Sequence, residues 1–502
     1  MTRAGRILIR GGTLLSADGV TGRKDVLVVD GLIADVGEPG TLWDESALVH
    51  DATARFICPG FVNAHTHGHA NLMKGVADAW TLEASLTNGP WLGGKRDPAT
   101  IYLSTLIGAI DMLSKGCTAC FDLVYEFPQP TREGFLAVAA AYHDAGMRAV
   151  LAPMVADKSL FQSIPGLTDA LPPQLREEVG KMVLAPSDST MDAIRQIVAA
   201  RGELPSGVTL AIAPTIPHHC SEQFLLNCCD LAVCHDLPIH MHVAESRLQA
   251  VVARRVYGVS AVAYLADLGI LSPKFTAAHG VWLDEADLDL LAEHGCSIAH
   301  IPASNFRLGS GIAHVRPMLE RGINVGLATD GANSSDALSM LQAMRLASYG
   351  ARAIASARED WLSAREVLRL ATKNGARILG HEAGRIALGL AADLVFLDAE
   401  HVDFVPANDP VNQLVTCADS AAVTDVMAGG VFRVRNRKLV SIDLADLGER
   451  VSGSLADLTV TMSGVKALAS QLEPHVVAFA QHLSREPLGF DRLVRPKAEA
   501  SS

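Results

Sequence analysis

The chain has 502 residues, 49% of them hydrophobic and 5% aromatic, which excludes a disordered or low-complexity polymer and supplies a large core. Forty-two Lys and Arg against 55 Asp and Glu leave a formal charge of -13, which disfavours nucleic acid or an anionic membrane as the main partner and points to a small-molecule substrate. At roughly 150 residues per domain the length allows about three domains, although an α/β barrel can take 250 or more as one unit.

At the N-terminus the apolar run Ile7-Leu8-Ile9 is stopped by Arg10 and Gly11-Gly12, so no targeting segment is expected. Nowhere does an apolar run approach the ~18 residues of a membrane span, and the expectation is a cytoplasmic protein. The nine cysteines are an odd number scattered along the chain, which fits reduced thiols. Cys117 and Cys120 form a CxxC without a second pair, a weak signal for redox or zinc chemistry.

Hairpin-like strands are expected at 6–10, 25–30 and 32–36, the last two joined at Asp30-Gly31. Short apolar runs then alternate with segments of helical period, at 61–65, 118–122, 148–153, 209–213, 239–243, 275–279, 297–301 and 324–329. Eight such units predict an α/β fold, a closed (β/α)8 TIM barrel over 59–390, with an open doubly wound sheet as the alternative. Strands recur at 393–397, 423–427 and 431–434, the last pair joined by Gly429-Gly430. Neither chain end can build a core alone, so 1–58 and 391–447 are expected to combine into one small composite β-sandwich domain around the inserted barrel. Residues 448–502 form a helical C-terminal extension, with a docking or dimer-forming helix at 465–483.

The reactive side chains His65, His67, Asp122, His242, Glu245, His279 and Asp330 fall at or just past the C-terminal ends of these strands, where barrel enzymes place their chemistry. In His65-Thr66-His67 the two imidazoles are two apart on a strand and point to one side. His242 and Asp330 can complete a set of three imidazoles and a carboxylate around one divalent ion, zinc or alternatively iron, leaving a position for water.

The segments 59–67 (PGFVNAHTH), 242–245 (HVAE), 277–280 (AAHG) and 329–331 (TDG), in that order, resemble the amidohydrolase superfamily. More narrowly they are similar to its cytosine deaminase, adenosylhomocysteine deaminase and triazine hydrolase branch. Residues 389–395 and 412–415 resemble that family's return into its β domain. The resemblance implies that His65, His67, His242 and Asp330 hold one metal, that Glu245 moves protons, and that His279 polarises the carbon under attack or steadies the nucleophile. It also implies a homodimer or higher homo-oligomer. No Lys stands at the end of the fourth strand, which reads Leu210-Ala211-Ile212-Ala213-Pro214-Thr215, so a mononuclear site is expected.

Substrate contacts are expected from Trp91, Thr215, His218, His219, Asn305 and Arg307. Trp91, with Trp80 and Glu83 in the loop after the first strand, offers a stacking wall. Thr215 replaces a His common in adenosylhomocysteine-type deaminases, which implies a rebuilt pocket. His218 and His219 border the barrel mouth, Asn305 follows the seventh strand with His300, and Arg307 could pair with an anionic group. His240 reads as a hydrogen-bonded core histidine, His69 as a loop residue and Asp122 as a loop anchor; Ser334, Ser335 and Asp336 can cap a helix. These readings converge on an aminohydrolase that releases ammonia from an aminated nitrogen heterocycle of pyrimidine, purine, pterin or triazine type. The alternatives are cyclic-amide hydrolysis, dechlorination or dealkylamination of a triazine-like ring, or an inactive metal-binding scaffold.

Overall fold

In the computed structural model, the described residues are 5–93, 96–335 and 337–493; Asp336 lies outside them. Both chain ends contribute to one mixed nine-stranded sheet. Its N-terminal strands are β1 (Ile7–Ser16), β2 (Gly19–Val29), β3 (Leu32–Gly37), β4 (Leu48–Asp51) and β5 (Arg55–Pro59). β1 bends at Gly11-Gly12, so its first half pairs with β4 and its second half with β5. Both β4 and β5 lie outside the strands expected from sequence: β4 is short, mostly exposed and pairs only with β1, and β5 takes its outer partner from the far end of the chain. β5 pairs antiparallel with a strand at Leu394–Asp398, and His50 of β4 packs edge-on against Phe396. The sandwich is thus a single hydrogen-bonded sheet folded over a core that includes Ile9, Val26, Ile57, Leu394 and Phe396.

Pro59 ends β5, and Phe61 opens the barrel. Its strands are β6 (Phe61–Thr66), β7 (Cys117–Val124), β8 (Arg148–Val155), β9 (Val208–Leu210), β10 (Ala213–Pro214), β11 (Ile239–Val243), β12 (Phe275–His279), β13 (Ser297–His300) and β14 (Asn324–Leu327). β9 and β10 are the two halves of the expected fourth strand. Both halves pair with β8, and Ile212 between them bridges to β11, where His240 N donates to its carbonyl (3.0 Å). The ring closes where Asp330 N donates to His65 O (3.0 Å) and Asn63 Oδ1 accepts from Thr329 N.

Strand-to-helix connections carry the polar caps that free helix N–H groups require: Asp97, Thr131, Ser221, Ser246 and Asp284 each accept from the first turn of the following helix. All nine cysteines are free, and Cys117 and Cys120 are buried within β7.

After the barrel come β15 (Leu394–Asp398), β16 (Val423–Ala428), β17 (Val431–Arg435) and β18 (Lys438–Leu439), which complete the outer sheet. Two helices follow, Leu444–Thr461 and Ser463–Leu483. The second packs on the helix Leu82–Leu92 that stands over the barrel mouth, with Asn88 Nδ2 donating to Glu473 Oε2 (2.9 Å). No helix of the described chain is long and apolar enough to cross a membrane.

Candidate metal centre and active site

Four strand ends deliver six side chains to one cavity. His65 and His67 come from the end of β6, His242 and Glu245 from the end of β11, His279 from β12 and Asp330 from just beyond β14. Ala244, His279 and Asp330 hold left-handed backbone angles (φ 51°, 68° and 71°), which non-glycine residues rarely adopt. Strain at three strand ends around one cavity is a mark of a site whose side chains must be aimed.

Asp330 Oδ1 lies 3.2 Å from His67 Nε2 and 3.5 Å from His65 Nε2, while His242 Nε2 lies 3.3 Å from His67 Nε2. His67 Nδ1 is 3.0 Å from Leu123 O and His242 Nδ1 is 2.9 Å from Thr215 O. A carbonyl can only accept, so both rings carry their hydrogen on Nδ1 and turn Nε2 lone pairs towards each other. Such lone pairs repel unless a cation or a proton lies between them. Among the described residues, His65/His67/Asp330 and His65/His242/His279 form overlapping triads whose ligand atoms lie within 4.8 Å of one another. His65 Nε2, His279 Nε2 and Asp330 Oδ1 are buried without hydrogen-bond partners. Three imidazoles and a carboxylate with orphaned buried atoms fit a first-row divalent ion such as zinc.

Burial drives the His65 and His242 imidazolium forms down, His242 to about 3, with the neighbouring rings adding to the effect. Burial also lowers His67, but the adjacent Asp330 carboxylate outweighs it and the net shift is upward. For Asp330 burial favours the acid, yet the adjacent His65 and His67 rings hold the carboxyl well below its usual range. Ser334 Oγ donates to its other oxygen at 2.8 Å.

Glu245 is 2% exposed and its Oε2 lies 3.4 Å from His279 Nε2. Burial, then the charges of Asp330 and Glu83, push its carboxyl well above the ordinary value. His279 Nδ1 is fixed on Asn305 Oδ1 at 2.9 Å, which leaves Nε2 facing the site. A group that prefers to hold its proton thus stands beside one that prefers to lack it, burial having lowered His279.

The cavity encloses about 220 Å³ and is walled mainly by apolar side chains, including Leu86, Phe127, Met154, Phe161, Met182 and Leu308. Thr215 and His219 line it. His218 is buried beside His219, with ring centroids 5.0 Å apart, and is not on the wall. Trp91 is also off the wall. It is buried against Met73 and Ala469, its Nε1 donates to Asn88 Oδ1 (2.7 Å), and Lys466 caps its face. The C-terminal helix claims that ring, a contact no local pattern reveals. Arg307 points to the carbonyl of Asp78 (2.5 Å) and Asn305 reaches His279, so neither lines the cavity. His69 lines the cavity beside His67. Asp122 accepts from Gly68 N and Tyr142 Oη and anchors the loop after β6. The apolar wall went unread in the sequence because Phe127, Phe161 and Met182 lie in a loop, in a four-residue helix and at a helix end, where no period marks them.

The pattern of the "Amidohydrolase family" matches residues 56–433. The chain is 33% identical over 454 residues to the 5'-deoxyadenosine deaminase of Methanothermobacter thermautotrophicus, an alignment that covers 90% of this chain and 99% of that protein. It is 32% identical to the 5-methylthioadenosine/S-adenosylhomocysteine deaminase of Haloarcula marismortui, covering 90% and 98%. Among solved structures, an adenosine deaminase from Xanthomonas campestris with bound zinc superposes with TM-score 0.80 at 26% identity, covering 91% of this chain and 99% of that one. A zinc complex of atrazine chlorohydrolase from Arthrobacter aurescens TC1 does so with TM-score 0.80 at 26% identity, covering 89% and 100%. With its strand-end histidines gathered in a barrel mouth and three quarters of its length matched, the chain belongs to the amidohydrolase family.

Proposed function

We propose that this amidohydrolase is an aminohydrolase that adds water to an amidine-like carbon of a small aminated heterocycle and releases ammonia, with adenosine-type purines as the first class to test. The observation that carries the reading is the Glu245–His279 pair beside the ligand cluster, since neither residue is needed merely to hold an ion. The deaminases to which the chain is similar support the purine class. The small, largely apolar cavity suits a planar ring with few charges.

In this reading His65, His67, His242 and Asp330 hold one divalent ion, zinc by analogy with the zinc-bound structural neighbours. When bound, the ion supplies the acidity that makes water a nucleophile near neutral pH. Asp330, held as the anion and steadied by Ser334, accepts a proton from the attacking water at Oδ1. Glu245, held as the acid, delivers its proton to the ring nitrogen next to the carbon under attack and takes one back from the oxygen added there, while the proton on Asp330 leaves with the departing amine. His279, oriented by Asn305, presents Nε2 to the oxygen that forms at that carbon. The apolar wall excludes bulk water around the ring. The same reading includes a division of the chain at 1–58, 59–390, 391–447 and 448–502, a homodimeric or larger assembly and a cytoplasmic location.

Displacement of chloride or an alkylamine from a triazine-like ring is a second reading, favoured by the atrazine chlorohydrolase neighbour. The test is ammonia and chloride release by the zinc-loaded protein over 5'-deoxyadenosine, 5-methylthioadenosine, adenosine, guanine, cytosine and chlorotriazines. Ammonia release from a purine is the expected outcome; chloride release alone selects the second reading, and silence across the panel overturns both. Glu245→Gln should keep metal content near native while turnover falls at least about 100-fold; wild-type turnover would remove Glu245 from the mechanism.

A further inference from the structure

His65 differs from the other two imidazoles of the cluster in what holds it. His67 and His242 rest their Nδ1 atoms on backbone carbonyls, which fixes the hydrogen on Nδ1. His65 Nδ1 lies instead 3.1 Å from His240 Nε2, an atom that can donate or accept. Both rings are completely buried, and His240 is closed off on its far side by Phe121, with ring centroids 4.4 Å apart. No backbone carbonyl bonds to either ring's Nδ1, and His240 Nδ1 has no hydrogen-bond partner. The hydrogen position on His65 is therefore decided by that on His240.

We propose that His240 is the positioning residue that selects the metal-binding tautomer of His65, by accepting His65 Nδ1–H at its own Nε2 and so leaving His65 Nε2 its lone pair. This rests on His65 being a metal ligand.

Two neutral arrangements satisfy the contact. In the first, His240 Nε2–H donates to His65 Nδ1. The His65 hydrogen then sits on Nε2, facing Asp330 Oδ1 at 3.5 Å, and ligation by this ring is blocked. In the second, His65 donates from Nδ1, and the His240 hydrogen moves to its own Nδ1, where it has no acceptor. A buried N–H without a partner is costly, so that cost falls on the metal-bound arrangement and is offset by ligation. The pair holds two hydrogens in either arrangement, so the two differ in where the hydrogens sit and not in net charge. Position explains why this residue can do it: His240 stands two before His242 on β11, on the same side of the strand and one layer deeper.

The test is zinc affinity by competition with a chromophoric chelator, for the wild type, His240→Leu and His240→Gln, with the 15N spectrum of the imidazoles of the zinc-loaded wild type. Leu cannot accept from His65, and its affinity should fall about 10- to 100-fold; Gln keeps an accepting oxygen and should stay within about threefold. The wild-type spectrum should show His65 protonated at Nδ1. Native affinity in His240→Leu, equal losses in Leu and Gln, or His65 protonated at Nε2 in the zinc-loaded protein would each overturn the proposal. If His240→Leu does not fold, the wild-type spectrum decides alone. His65→Ala separates the two levels: native zinc affinity there would overturn the ligand assignment itself.

Discussion

Asn305 is not on the cavity wall, yet its Oδ1 is the hydrogen-bond partner of His279 Nδ1 among the described residues. Asn305→Leu should lower kcat about 10- to 100-fold while zinc content, measured by elemental analysis, stays native; unchanged kcat would show that His279 is held otherwise. Asp287 shows how burial, aided by the charge of Asp284, moves a group far from the site. Burial pushes its carboxyl up to about 6 from an ordinary 3.8, with hydrogen bonds from Ser260 and Asp284 N offsetting part of the shift. The folded chain therefore holds this proton more tightly than the unfolded one. The resulting stability is present below pH about 4 and is lost as pH rises through about 6. Against wild type, the urea midpoint of Asp287→Asn should shift upward over that window, and a pH-independent difference would refute the assignment. Residue types told which side chains could ligate, since two imidazoles spaced by one residue on a strand must share a face. They did not tell that His240 meets His65, because the two are 175 positions apart.

At the scale of elements, the barrel strands were legible because each is a short apolar run between helical segments. β4 and β5 were not, being short strands whose partners are distant in sequence. The turn between β16 and β17 was readable from its two glycines, and it sets a sharp steric limit. Gly430 has φ +74°, and a Cβ there would stand 2.5 Å from the Gly31 backbone, where β2 turns into β3. Gly430→Ala should cost about 1–3 kcal/mol by chemical unfolding while kcat per folded molecule is retained, since the turn is remote from the cavity. No loss of stability would mean that the two turns part easily. The C-terminal helix Ser463–Leu483 was visible as a period, whereas its seat on Leu82–Leu92 was not. That seat decides the fate of Trp91, which packs under the helix instead of lining the cavity.

For the whole molecule, the ligand cluster joins the first, fifth and eighth strands of the ring, so a bound ion ties the closing seam to the far side of the barrel. An ion that binds only the folded chain stabilises it by about 2.7 kcal/mol at a hundredfold excess over Kd. Chelation should therefore lower Tm by several degrees in calorimetry, and zinc should restore it; an unchanged Tm would argue against ligation across the seam. The sequence by itself determined the alternation that makes a barrel, the residue types of the ligand set and their place at strand ends, since all follow from local period and chemistry. The tertiary structure alone decided the apolar cavity wall, the withdrawal of Trp91 and Arg307 from it, and the contact of His240 with His65. Those depend on barrel closure and helix docking, which bring together residues that no local pattern relates.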